Sequence, residues 1–310
     1  TAFKKAYRKA YRLNNAGKAS VLFTSLFHNF AFWRSFYFSR PGHFSSTTKM
    51  VTEAPMLLGG SLLNVIPGAD QLLGRDAGMR LAMRSPEVRS GVEAILGESP
   101  IYARLVANGM TMPFSMRYGD EQSIDSAQRR TLIEKAVTLF GPLYGRERAE
   151  RMAQSMQDYR TRTSQFLFAN VGAPLKAQAA ILEYKHEMAQ LKRDIMKGRV
   201  EEGQITEDDI ARKVAAKMND DFGGLNYRRG ENILGGVRRA ENQNLMRLGL
   251  LASDWTESNL NTVLKMFSLT QKMYGTRADT DEEKQKQLDR IERRMYRNLA
   301  INAAFRSQIL

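Results

Sequence analysis

The sequence predicts an all-α, multi-helix protein, extended in outline and finished by a helical C-terminal module. Three observations predict it. Apolar residues recur at three- and four-residue spacing wherever a period is visible. Stretches rich in Ala, Leu, Met, Gln, Arg and Glu recur, while alternating β-branched runs are few. Pro86, Pro100, Pro142 and Pro174 fit first-turn or pre-helix positions. With 310 residues, 43% hydrophobic and 26% charged, the chain can bury a sizeable core and is not of disordered composition. Sixteen methionines suit an adaptable helical core or an assembly surface.

Helices are expected over about 2–13, 18–38, 69–84, 86–96, 100–109, 123–140, 145–168, 174–198, 206–220, 238–251, 255–273 and 281–308. The first divides cleanly on a helical wheel. Phe3, Ala6, Tyr7, Ala10, Tyr11 and Leu13 share one half, and Lys4, Lys5, Arg8, Lys9 and Arg12 share the other. Such a basic amphipathic helix fits a protein groove, a membrane interface or a nucleic-acid backbone, and Lys18 extends the charge beyond it.

The second helix contains Ala19–Trp33, an uncharged run crowded with aromatics: Phe23, Phe27, Phe30, Phe32 and Trp33, with Phe36, Tyr37 and Phe38 following. The run is shorter than the ~20 residues that span a bilayer, and His28 and Asn29 interrupt it. It also lacks the small-residue cleavage site of a signal peptide. Phe23, Phe27, Phe30, Trp33 and Phe36 are therefore candidate anchors to protein or to a membrane interface. Residues 54–69 are uncharged too, but Pro55, Gly59, Gly60, Pro67 and Gly68 are expected to break them into turns. No transmembrane helix is expected.

Farther on, Ala177, Ile181, Tyr184, Met188, Leu191 and Ile195 form a stripe with heptad spacing, suited to a bundle or to a neighbouring copy of the chain. Thr206 with Asp209 reads as a capping box opening the next helix. In 281–308, Lys284, Lys286, Arg290, Arg293, Arg294 and Arg297 interleave with Asp281, Glu282, Glu283, Asp289 and Glu292, the pattern of a solvated, self-paired face. The polar Gly198–Gly203 stretch is a candidate hinge. The chain thus divides into a basic, aromatic-rich head over 1–52, a helical body over 53–198 and a helical module over 199–310. It begins at Thr1 without a methionine and stops inside a helical pattern, which reads as a segment of something longer.

Charge is unevenly laid out. There are 47 Lys and Arg against 33 Asp and Glu, a net +14. Residues 1–50 hold nine basic residues and no acid, so they supply +9 of that total. Such a local excess favours a polyanion or an anionic surface as partner.

Signals for chemistry are missing. With no cysteine, disulfides, thiolate metal sites and thiol catalysis are excluded, and three histidines make a multi-His site improbable. Phosphate-loop, dinucleotide, zinc-protease and serine-hydrolase motifs are absent. His186-Glu187 reads as a surface pair. Asp208-Asp209 sits in the first turn of a helix, where carboxylates suit the dipole, and Asp220-Asp221 falls at the end of that helix. No catalytic residue, metal or cofactor is expected, and the chain reads as a non-enzyme.

The informative motif lies in residues 206–267. A helix over Glu207–Asp220 runs into Asp221-Phe222-Gly223-Gly224-Leu225-Asn226-Tyr227, and a Leu-rich segment precedes Asp254-Trp255-Thr256. Gly223 and Gly224 allow a left-handed turn, and Asp254 with Glu257 reads as a second capping box. Leu260, Val263, Leu264 and Phe267 form the buried stripe of the helix after it.

This arrangement resembles a module of the large polyvalent proteins of bacteriophages and mobile elements, on Phe222, Gly223, Gly224, Asn226 and Tyr227 and then Asp254 and Trp255. Ser253 stands where such modules usually carry proline. The resemblance covers about 70 residues and names no activity. It implies an internal virion or ejection protein that takes part in genome delivery and particle assembly. Portal or ejection proteins and further copies of the chain are then the expected partners, with transient membrane contact. Its place is the virion interior, from which it is delivered to the host envelope or cytoplasm. Lys4, Lys5, Arg8, Lys9, Arg12 and Lys18 would then meet packaged DNA or an acidic inner surface. Two other readings stay open: a sequence-nonspecific DNA-binding protein of a mobile element, and a non-catalytic part of a giant packaged enzyme such as a virion RNA polymerase.

Overall fold

Serine followed by proline opens two of the helices. Ser85 and Ser99 stand at the N-caps and Pro86 and Pro100 at the first helical positions, where a missing N–H costs nothing. The Ser85 hydroxyl accepts from the Val88 N–H at 3.4 Å. A computed structural model describes residues 76–97, 99–112, 166–222 and 282–307, with the isolated positions 56, 59, 60, 63, 73, 142, 145–152, 154 and 155.

In chain order the helices are α1 (Ala77–Ala82), α2 (Pro86–Leu96), α3 (Pro100–Ala107), α4 (Ala173–Met196), α5 (Glu207–Asp221) and α6 (Glu282–Ser307), with a π-helical segment Phe166–Gly172 leading into α4. Among the described residues 81% are helical and none is in a strand, so the fold is all-α. The basic head and its aromatic run lie outside the described residues.

Two local expectations are corrected. Sequence spacing separates a helix ending near 168 from one beginning at 174, yet the chain runs through without a break, as a π-helical segment. Pro174 supplies no N–H to the carbonyl four residues back, and its ring crowds that carbonyl; a wider turn ahead of it relieves the clash. Met56, Gly59, Gly60 and Leu63 are helical rather than in turns. At Gly60 the missing side chain is a packing device, because a Cβ there would lie 2.8 Å from the Gly78 carbonyl oxygen.

α4 is the centre of the body. It packs on α2, α3, α5 and the π-helical segment, while α5 also meets α3 and α6. α2 runs antiparallel to α4, since Gly91 lies against Pro174 and Glu87 accepts a bond from Gln178. The heptad stripe of α4 is spent inside this chain. Ala177, Ile181, Tyr184 and Leu191 are buried, and Met188 and Ile195 pack against the core. One cluster joins Val88 of α2, Leu105 of α3, Ile210, Val214 and Met218 of α5, and Leu288, Ile291 and Met295 of α6. Val200 and Ile205, on the connector between α4 and α5, belong to the same cluster.

α4 ends with the Gly198 N–H bonded to Ile195 O and the Arg199 N–H to Asp194 O, which satisfies its last carbonyls. α5 begins as its sequence predicts. Thr206 Oγ1 accepts from the Asp209 N–H at 3.2 Å, and Asp209 Oδ2 accepts from the Thr206 N–H at 3.0 Å.

Candidate functional site

Buried charge is concentrated where α4, α5 and α6 meet. On α4, Glu183 and Glu187 are four residues apart, one turn above the other on a flank of the apolar stripe. On α5, Lys217 and Asp221 stand in the same relation. Packing the two helices together brings the four side chains into one apolar interior, where an unpaired charge costs several kcal/mol. Lys217 answers that cost. Its Nζ donates to Asp221 Oδ2 at 2.9 Å and lies 3.6 Å from Glu183 Oε1.

α6 contributes the second cation. Arg294 donates to Glu187 Oε2 at 2.5 Å and to Asp194 Oδ2 at 3.0 Å, tying α6 to α4. The Tyr296 hydroxyl donates to Asp220 Oδ2 at 2.5 Å, and Lys213 donates to Glu292 at 2.5 Å, tying α6 to α5. Lys284 pairs with Asp209 at 2.7 Å across the same seam.

A second network centres on Asn219, which is fully buried. Its Oδ1 accepts from Lys176 Nζ and from the N–H and hydroxyl of Thr111, each at 2.9 Å, and its Nδ2 donates to Gly109 O at 3.0 Å. α4, α5 and the end of α3 are thereby pinned together at one amide. At the surface, Arg104 of α3 pairs with Glu207, lies 3.5 Å from Asp208 and donates to the Tyr184 hydroxyl at 3.2 Å.

Electrostatics follow from burial and neighbours. Burial pushes the Glu183 carboxyl up to about 7, with Glu187 and Asp221 adding to the rise and Lys217 opposing it. Burial alone would lower the Lys217 ammonium, but the Asp221 and Glu183 carboxylates outweigh it and hold it above its ordinary value. The Arg294 guanidinium is likewise raised, burial being outweighed by Glu187 and Asp194. Burial and the neighbouring Asp220 hold the Tyr296 phenol well above its ordinary value. Asp209 is opposite in sign: burial raises it, yet Lys284 and the Thr206 bonds bring it below its usual range.

Glu183 Oε2, Glu187 Oε1 and Arg294 Nε have no hydrogen-bond partner among the described residues.

A pH dependence follows. A carboxyl with a folded pKa near 7 and an unfolded one near 4.5 favours the folded state most when protonated. Its contribution is complete below about 4.5 and fades as pH rises through 7, a loss of about 3 kcal/mol at ~1.4 kcal/mol per unit. Urea unfolding at about pH 5 and about pH 8 is expected to show this decline, and Glu183→Gln to flatten it. Asp209 contributes stability that is lost only on acidification below its unfolded range, outside this window.

The structure reassigns several sequence-level readings. Glu187 is wholly buried and paired with Arg294, so His186-Glu187 is not a surface pair. Asp220 and Asp221 close α5 as its sequence predicts, and packing makes them buried partners of Tyr296 and Lys217. α6 is not simply self-paired, because Arg294, Lys284 and Glu292 are taken up by α4 and α5. Of the singled-out motif, Phe222 caps α5, donates its N–H to Met218 O at 3.1 Å and is buried. Gly223, Gly224, Asn226, Tyr227, Asp254 and Trp255 lie outside the described residues. So do Lys4, Lys5, Arg8, Lys9, Arg12, Lys18, Phe23, Phe27, Phe30, Trp33 and Phe36. Lys176, Glu183, Lys217, Asn219, Arg294 and Tyr296 were not anticipated from sequence; the signal for Glu183 and Glu187 was their position beside the heptad stripe.

Chemically the cluster fastens helices. Glu183, Glu187 and Lys217 are closed off from solvent and act on one another. Among the described residues no group of three or more Asp, Glu or His side chains comes together as a metal site, and no helix is long and apolar enough to cross a membrane. Compared with family models, curated proteins and solved structures, the chain matches none.

Proposed function

We propose that the chain is a non-enzymatic internal protein of a bacteriophage particle, acting in genome delivery and particle assembly. The observation that carries this reading is the Phe222–Tyr227 and Asp254-Trp255 motif, in one chain with an acid-free basic head. A methionine-containing helical body suits it, because Met110, Met218 and Met295 line a core that can adapt during assembly. In the particle the chain contacts copies of itself and portal or ejection proteins, while the head meets DNA or an anionic surface. During delivery the aromatic run touches the host membrane.

Mass spectrometry of purified particles of the element that encodes the chain tests this directly. The chain is expected among the internal proteins in multiple copies, and its absence from the particle overturns the proposal. Replacing Lys4, Lys5, Arg8, Lys9 and Arg12 by Gln is expected to remove the head's salt-sensitive share of DNA binding. Duplex binding by a chain that never enters a particle would instead support a DNA-binding protein of a mobile element.

A further inference from the structure

The two sides of α6 have been given different tasks. Beyond its first turn, where Glu282 and Glu283 are exposed, its acids are drawn inward or sideways: Glu292 is taken by Lys213 of α5, and Asp289 accepts from Gln285 on its own helix at 2.8 Å. Among its cations, Lys284 and Arg294 reach to Asp209 and to Glu187 and Asp194. Past that first turn, what remains outward up to residue 297 is Lys286, Arg290, Arg293 and Arg297, all exposed. At ~100° per residue these four fall within an arc of about 60°, and at 1.5 Å per residue they run for about 16 Å along the helix.

Two of them have partners. Lys286 pairs with Glu282 at 2.9 Å, and Arg293 Nε donates to the Asp289 carbonyl oxygen at 3.3 Å. The first bond sets exposed Glu282 at the N-terminal end of the stripe, and the second involves no acidic side chain. Arg193 of α4 and Lys197, which caps it, are also exposed, adjacent to and one turn from Asp194, the residue that Arg294 grips. The bridge between α4 and α6 therefore sets a second group of cations beside the first.

We infer that this cationic face, Arg290, Arg293 and Arg297 of α6 with Arg193 and Lys197 at the end of α4, docks on the phosphate backbone of duplex DNA. Arg290, Arg293 and Arg297 span about 10 Å of the helix, over which one strand of a duplex presents about three phosphates, so the three guanidinium groups meet a matching number of anions. Arginine is the residue suited to bidentate phosphate contacts. A lipid surface fits less well. Every exposed side chain of α6 between residues 282 and 297 is charged, and its apolar residues Leu288, Ile291 and Met295 are buried in the core. Between residues 282 and 297 nothing apolar is left exposed on α6 to enter a membrane, and beside Arg193 and Lys197 only Met196 is an exposed apolar side chain. The inference rests on the proposed contact with DNA and deepens it, adding to the head a second contact in the folded body.

The test uses the full chain and a labelled duplex of about 30 base pairs, titrated by fluorescence anisotropy across a salt series. Three proteins are compared: wild type, the five-residue Gln variant of the head, and Arg290→Gln/Arg293→Gln/Arg297→Gln. The triple variant changes only exposed residues, and circular dichroism is expected to leave its helix content unchanged. Its slope of log K against log salt is expected to fall by about 2 to 3, on top of whatever the head contributes. A slope equal to that of wild type overturns the inference and leaves the head's contact standing. Loss of binding to phosphatidylserine vesicles with duplex binding unchanged overturns it in favour of lipid. No duplex binding by wild type overturns this contact and the head's together, while the particle assay decides the virion reading separately.

Discussion

Gly91→Ala is expected to be the most damaging single substitution among the described glycines, costing more than about 3 kcal/mol and lowering the yield of folded protein. α2 and α4 touch backbone to backbone at this point. An added Cβ would stand 2.0 Å from the Pro174 carbonyl oxygen, 2.5 Å from its carbon and 2.7 Å from its Cα. No rotamer change can relieve a clash with main chain, so one helix has to move. α4 cannot yield cheaply, because its start is fixed by Pro174 and the π-helical segment and its length is buried against α3 and α5. Gly59→Ala is the control. Its methyl would meet only the far end of the Leu81 side chain at 3.0 Å, which can swing aside. Urea unfolding of the two variants is expected to separate them widely; equal midpoints would mean that the helices are not in backbone contact at Gly91.

Lys217→Met is expected to cost about 3–5 kcal/mol, the range for deleting one partner of a buried ion pair. The change keeps the length of the side chain and removes the ammonium that holds both Asp221 and Glu183. Two carboxyls are left facing each other and Glu187 in an interior from which water is excluded. Adding Glu183→Gln and Asp221→Asn to Lys217→Met is expected to restore much of the loss, since a buried network replaced as a whole costs far less than one broken. Denaturant midpoints of the single, double and triple variants measure the coupling. A loss under about 1 kcal/mol for Lys217→Met alone would show that the cluster does not hold the helices together.

Much of the secondary structure was legible because its signals are local. Ser85-Pro86, Ser99-Pro100 and the Thr206–Asp209 box mark helix starts within four residues, and the stripe from Ala177 to Ile195 exposes the period of α4. The passage from the π-helical segment into α4 was missed because glycine and proline around 172–174 mimic a stop. The polar core was not legible for a different reason. Glu187 and Arg294 are 107 positions apart, and Lys213 and Glu292 are 79 apart. Of these four only Lys213 has an opposite charge three or four residues away, at Asp209, and only tertiary packing reveals the distant partner that each one takes. The stripe of α6 was hidden because interleaved charges look balanced until Glu292 is seen to be taken by α5 and Asp289 by its own helix.

The distance along the chain between Glu187 and Arg294 also bears on synthesis. When α4 and α5 have left the ribosome, Glu187 still waits for a guanidinium encoded about a hundred codons downstream, and Asp220 for the phenol of Tyr296. A nascent chain lacking α6 carries carboxylates that resist being shut away from water. Full closure of the interior is therefore expected to wait until translation reaches α6, and a chain cut before that point is expected to be digested faster by protease than the full one.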